Sequence, residues 1–186
     1  MPRVGLDTDA VVGAAARLAD ADGLESVTLA RLAGELGVRA PSLYAHVDGL
    51  EDLRRRLGAR GARELAGALG RAAAGRAGTE ALVAVADGYR AYARAHPGSY
   101  AALQQARELS RSEDAARAAA AVVDVVVAVL RGYGLEGDDA VHATRVIRAA
   151  LHGFVLLEKA GGFAMEQSID ESFGRLVATL DAGLRR

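Results

Sequence analysis

The chain has 186 residues, 51% of them apolar and drawn mostly from Ala, Val and Leu, with aromatics at 4% and no Trp; it is long enough to bury a real core, and side chains this small suit closely packed helices. Charge is nearly balanced, 23 Lys+Arg against 24 Asp+Glu, so the chain as a whole does not advertise a nucleic-acid partner and any anion-binding surface has to be local. The absence of cysteine excludes a disulfide framework, a thiolate nucleophile and a zinc–thiolate site.

Helix punctuation runs the length of the chain, and strand signals are nearly absent. Asp7 or Thr8 caps a first helix that runs to Ala21 and closes at Gly23. Thr28 caps a second from Leu29 to Leu36, ended by Gly37. Pro41 fits the first turn of a third helix reaching Val47, where its missing N–H costs nothing. Asp48 and Glu51 have the spacing of a capping box and open a fourth helix toward Ala74. The Gly- and Ala-rich stretch "GRAAAGRAGTE", residues 70–80, marks the boundary between a head and a larger body. A helix from Thr79 to Ala95, a His96-Pro97-Gly98 turn and a short helix through about Leu109 follow, and Ser112 caps a long helix to Arg131.

Within that long helix "VVDVVVAVL" has the look of a buried strand as well. Its length without Gly or Pro and the seven-residue spacing of Arg117, Asp124 and Arg131 instead predict a mostly buried helix with one thin polar edge. Two more helices, from Asp138 or Asp139 to Lys159 and from Ser168 to about Leu184, complete an all-α chain of about nine helices. Residues 1–50 form the three-helix head, helix four (51–74) connects, and 75–186 form the body. The longest apolar run, Ala118 to Leu130, is broken by Asp124 and too short to span a bilayer. The N-terminal "MPRVGLDTD" lacks the apolar core of a signal peptide, so a cytoplasmic chain without a membrane partner is expected.

The stretch "LAGELGVRAPSLYAHVDGLEDL", residues 32–53, carries more hydrogen-bonding groups than a core helix spends. Setting Leu43 and Val47 inward on a short α-helix turns Pro41, Ser42 and Ala45 directly outward and leaves Tyr44 and His46 on the flanks, roughly 80° to either side of the inward direction. A narrow ridge of small residues with a polar group on each shoulder suits a major groove. Helix, Gly turn and short helix make a helix-turn-helix whose second helix reads bases. Ala40 stands where a capping side chain is expected, so amide donors at the helix start are left for a phosphate.

The residues Thr28, Leu32-Ala33, Gly37-Val38, Leu43-Tyr44, His46-Val47 and Leu53 resemble the DNA-binding head of the tetracycline repressor (TetR) family of bacterial transcription regulators, over about residues 8–55. The resemblance implies an all-helical homodimer, a short third helix that reads double-stranded operator DNA, and a body that binds a small-molecule effector. The segments "YRAYARAHPGSYAAL" and "ALHGFVLLE" resemble a group of family members with a His-Pro turn after the fifth helix and a His-Gly pair in the eighth. Two features depart from the pattern. Leu50 stands where many members have a phosphate-binding lysine, and the head carries nine Arg against ten Asp plus Glu from Met1 to Glu64.

On the head, Arg39 is the candidate for a forked contact to guanine. Ser42 bonds a base or a phosphate, Pro41 and Ala45 touch a thymine methyl, and Tyr44 and His46 reach phosphates, with packing of their rings on the first helix as the alternative. Thr28 both caps its helix and donates to a phosphate, and of the run Arg54 to Arg56 at most one, Arg54, meets DNA. In the body, Tyr89, Tyr92, Tyr100, Leu103, Gln104 and Val126 lie on the helices that enclose the effector cavity in the family, with ordinary helix packing as the alternative. His96 belongs to a turn. The last two helices pair with their copies as a four-helix bundle, Ala150 and Gly153 allowing close approach and Leu151, Phe154 and Val155 supplying apolar area; packing within the chain would use them equally well. Asp138 and His142 have no third partner at metal spacing, and no Glu-x-x-His pair, phosphate loop or triad is present, so neither a metal, a cofactor nor an enzyme is expected. The reading is a ligand-released repressor whose two reading helices sit roughly 34 Å apart, with a helical carrier or a partner-controlled regulator as the alternatives.

Overall fold

The computed structural model describes residues 6–105 and 112–185. Among them are eight α-helices, two short 3-10 helices and no strand: α1 (Thr8–Asp22), α2 (Leu29–Glu35), α3 (Leu50–Ala73), α4 (Gly78–Ala95), α5 (Pro97–Leu103), α6 (Glu113–Arg131), α7 (Gly137–Lys159) and α8 (Ile169–Leu184), with 3-10 helices at Leu24–Ser26 and Ala40–Ala45. The chain is all-α as expected. The expected end of the sixth helix near Leu109 lies outside the described residues.

Local chemistry sets the boundaries. The Asp7 carboxylate accepts from the Ala10 amide at 2.7 Å and caps α1, which ends where Gly23 turns to φ 89°. Thr28 and Ser168 cap α2 and α8 in the same way, each accepting an amide three residues on at 3.2 Å. At the start of α3 the Asp52 carboxylate reaches back and accepts from the Asp48 amide at 3.0 Å.

The helices pack as two compact units, Met1–Glu64 with Ala95–Ala119, and Leu65–Arg94 with Ala120–Arg186. Helix α5 belongs to the first unit. In the first unit Leu32, Leu43, Leu53 and Leu57 are fully buried with Val11 and Val27 from the preceding elements. Each such leucine contributes about 1.5–3 kcal/mol. Ala102 of α5 belongs to the same cluster.

In the second unit α7 turns Ala140, Ile147, Leu151, Phe154 and Val155 inward, and α8 does the same with Phe173, Val177, Leu180 and Leu184. Arg90 on α4 ties them together. Its guanidinium meets both Glu158 oxygens at 2.9 and 2.5 Å and Asp170 at 2.8 Å, over the rings of Phe154 and Phe173. Those bonds, outweighing burial, hold the Glu158 carboxyl below its ordinary range. A second tie joins Thr79 and Tyr133 to Asp181 at 2.7 and 2.5 Å; burial and the carboxylate push the Tyr133 phenol up to about 12.

Helix α6 corrects one expectation. Arg117, Asp124 and Arg131 are exposed as foreseen, but so are Ala116, Ala120, Val123 and Ala128, and Val122 and Val125 to Val127 are only half-buried. Among the described residues nothing covers the valine run completely. Among the described residues α7 is the one helix long and apolar enough to cross a membrane by length and composition.

Candidate nucleic-acid interface

The turn after α2 is built by Gly37, whose φ of 65° only glycine adopts cheaply. The Val38 amide donates to the Ala33 carbonyl at 2.9 Å and the Gly37 amide to the Gly34 carbonyl at 3.2 Å, the paired bonds of a Schellman stop. Leu36 and Val38 pack against the head's core beside this turn. The chain is thereby reversed into the segment Ala40–Ala45.

That segment is wound as a 3-10 helix, not the expected α-helix. Pro41 removes one amide, and the Ser42 amide donates to the Arg39 carbonyl at 2.9 Å, so the tighter winding takes up a donor that was expected to be open to a phosphate. At three residues per turn the side chains fall into three columns. Ala40, Leu43 and His46 form the inner one, with Leu43 0% exposed and the other two half-buried. Pro41 with Tyr44, and Ser42 with Ala45, form two exposed columns. Tyr44 therefore stands farther outward, at 60% exposure, and His46 turns partly inward. Beyond the segment, Val47 is buried as expected, and the Thr8 hydroxyl of α1 donates to the His46 carbonyl at 3.4 Å.

The arginines divide into free and committed. Arg39 is exposed and makes no ion pair among the described residues. Arg54 donates to Glu25 at 3.1 Å while its Nε is buried without a partner. Arg55 pairs with Asp52, and Arg56 donates to the same carboxylate at 2.7 Å. Burial of Asp52 opposes ionisation, but the hydrogen bonds from Arg56 and the Asp48 amide and the two guanidinium charges prevail and lower its pKa. Asp52 was missed from sequence; the available signal was an acid in the first turn of a helix with arginines three and four residues on. Thr28 is exposed, and its hydroxyl oxygen accepts from Arg31, which leaves its proton available.

The body residues do not gather in one unit. Tyr89 and Tyr92 are buried and Val126 half-buried in the second unit; Tyr100 and Leu103 are buried and Gln104 half-buried in the first. Leu151, Phe154 and Val155 are spent on packing within the chain, and Ala150 and Gly153 are half-buried. The exposed apolar side chains of α7 are Val141, Val146, Leu156 and Leu157.

Residues 82–180 match the family model described as the tetracyclin repressor-like, C-terminal domain. The HTH-type transcriptional regulator Rv0681 of Mycobacterium tuberculosis is 39% identical over 182 residues, 97% of this chain and 83% of that protein. A solved structure of a protein with unknown function from Rhodococcus sp. RHA1 superposes with a TM-score of 0.83 at 24% identity, covering 100% of both chains. TetR-Q116A from Acinetobacter baumannii AYE, solved in complex with minocycline, superposes with a TM-score of 0.64 at 24% identity, covering 96% of each. With a helix-turn-helix head, a matched C-terminal domain and a relative of this closeness over nearly the whole length, the chain belongs to the TetR family of helix-turn-helix transcriptional regulators and is not an enzyme.

Proposed function

We propose that the protein is a dimeric repressor that reads operator DNA through Arg39, Pro41, Ser42, Tyr44 and Ala45 and leaves it when a small molecule occupies the body. The observation that carries this is the pair of outward columns on the 3-10 segment, anchored by Leu43 and flanked by an unpaired Arg39. Arg39 forks onto a guanine, Ser42 bonds a base edge or phosphate, and Pro41 and Ala45 meet a thymine methyl. The Tyr44 and Thr28 hydroxyls donate to phosphates, and His46 sits at the rim. Ala40 contributes backbone fit rather than an open cap. Arg54 meets DNA only by exchanging Glu25 for a phosphate.

Self-association runs along α7 and α8 in a four-helix bundle, with Val146, Leu156 and Leu157 supplying apolar area around Ala150 and Gly153. A bilayer is the poorer partner for this face, because Arg145 and Arg148 stand near the middle of α7 and each would cost about 2.5–3.5 kcal/mol there. A cytoplasmic DNA regulator fits it better. The effector class is a small, largely apolar molecule held in the body beside Tyr89, Tyr92 and Val126 of the second unit. The Thr144 hydroxyl, buried on α7 without a hydrogen-bond partner, is the kind of group such a molecule satisfies. That a structural neighbour carries minocycline supports a small-molecule effector of some kind. Occupancy favours the state that cannot span both half-sites.

The test is a gel shift of the purified chain on the DNA upstream of its own coding sequence against a shuffled duplex of equal length. Selective retardation of the first, lost in Arg39→Ala, is expected. Equal binding, or none, overturns the reading in favour of a helical carrier or a partner-controlled regulator.

A further inference from the structure

We propose that Asp20 is a positioning residue for DNA reading: its carboxylate clips α5 onto α1 and sets the shape of the head that the operator selects. This rests on the DNA-binding function proposed above. A helix start leaves amide donors open, and His96, at the capping position of α5, offers no side-chain cap. Asp20, on a distant part of the sequence, supplies it. Its Oδ1 accepts from the Gly98 and Ser99 amides at 2.9 and 2.8 Å, and its Oδ2 accepts from the Ser99 hydroxyl at 3.3 Å and faces His96 Nδ1 at 3.2 Å.

The clip depends on a close approach of two backbones. A Cβ on Gly98 would lie 2.1 Å from the carbonyl carbon and oxygen of Ala19, so glycine alone lets α5 sit there. Ala102, one turn on, is then inserted into the head's own core. Helix α1 connects this clip to the reading segment: near one end it carries Asp20, and at the other Thr8 holds the His46 carbonyl. Fifteen residues of helix are a stiff rod of roughly 22 Å, buried from Val11 to Ala16 and again at Leu18 and Ala19. A shift at Asp20 is therefore delivered to the end of the DNA-reading residues without any contact between Asp20 and DNA.

If the clipped head is the operator-binding form, linkage is reciprocal: DNA must tighten the clip by the factor that the clip tightens DNA. The experiment uses the full chain with its own upstream duplex and a shuffled duplex. Hydrogen exchange at the Gly98 and Ser99 amides reads the clip; titrations of the parent, D20A, D20N and G98A read binding. The upstream duplex should raise protection of both amides. D20A and G98A should lose about tenfold in affinity for it while keeping helicity and their binding to the shuffled duplex, and D20N, which retains the Oδ1 acceptor for both amides, should stay near the parent. The proposal is overturned if D20A binds like the parent, if it loses both duplexes equally, or if DNA leaves the two amides unchanged. Should D20A and G98A fail to fold, the amide protection in the parent decides. A parent that prefers neither duplex overturns the DNA-binding function and this inference with it; a selective parent with an unaltered D20A overturns this inference alone.

Discussion

Ser42 and Leu43 are neighbours on the reading segment that face opposite ways, so truncating each to alanine separates anchoring from reading. Leu43 is 0% exposed in the head's core. Leu43→Ala removes buried carbon atoms and leaves a cavity, which costs about 2–5 kcal/mol. Against a typical domain stability of about 5–15 kcal/mol, that is a large fraction of what holds the head together, and the outward columns lose their seat. Ser42 is exposed, and Ser42→Ala should change stability by no more than about 0.5 kcal/mol. Losing one hydrogen bond to a base or phosphate costs about 0.5–1.5 kcal/mol of binding, a factor of roughly 2–12. Urea unfolding with an unchanged slope, paired with titration of the upstream duplex, measures both quantities. The reasoning fails if Ser42→Ala destabilises the fold by more than about 1 kcal/mol, if Leu43→Ala costs less than that, or if Ser42→Ala leaves operator affinity untouched while the chain still binds selectively.

Other expectations follow from the charges and faces described. Because Arg54, Arg55 and Arg56 are held by carboxylates, each head should neutralise only one or two phosphates, giving a dimer a log–log salt slope of about −2 to −4; a slope steeper than about −6 would mean the arginines abandon their partners. Arg39→Ala should relax base preference by about 1–3 kcal/mol at one position, whereas Tyr44→Phe should weaken every sequence alike, as a panel of single-base operator variants would tell. The lowered pKa of Asp52 means that its stabilisation is complete above its unfolded value near 3.9 and is lost as pH falls through the lower folded value. The stability gap between the parent and Asp52→Asn should therefore close in acid, and a gap that is flat down to pH 2 would exclude the pairing. Val146→Glu combined with Leu157→Glu, both on exposed positions, should convert a dimer to a monomer in sedimentation without loss of helicity; an unchanged mass would move the interface elsewhere.

The helices were legible because their signals are local. Asp7, Thr28 and Ser168 cap within three residues, and Gly23 and Gly37 stop within one turn. The inward pair Leu43 and Val47 was legible for the same reason. The winding of Ala40–Ala45 was not, since six residues with a proline in the first turn satisfy either helix, and the difference rotates Tyr44 outward by about 40° and His46 inward by about 80°. Pairings between distant segments were also out of reach. Nothing near Arg54 announces Glu25, and nothing near Gly98 announces Asp20. The partition of apolar residues on α7 between the chain's own core and its surface depends on which neighbours arrive, and alternation alone does not rank Leu151 above Leu157.

The tighter winding of the reading segment also changes its reach. A 3-10 helix rises roughly 2.0 Å per residue against 1.5 Å for an α-helix, so Ala40–Ala45 extends roughly 12 Å instead of 9 Å. Laid along a duplex whose base pairs are spaced roughly 3.4 Å apart, it overlooks between three and four steps rather than fewer than three. On the proposed reading, a thinner finger covers a longer word, and the recognition sequence selected should be correspondingly extended.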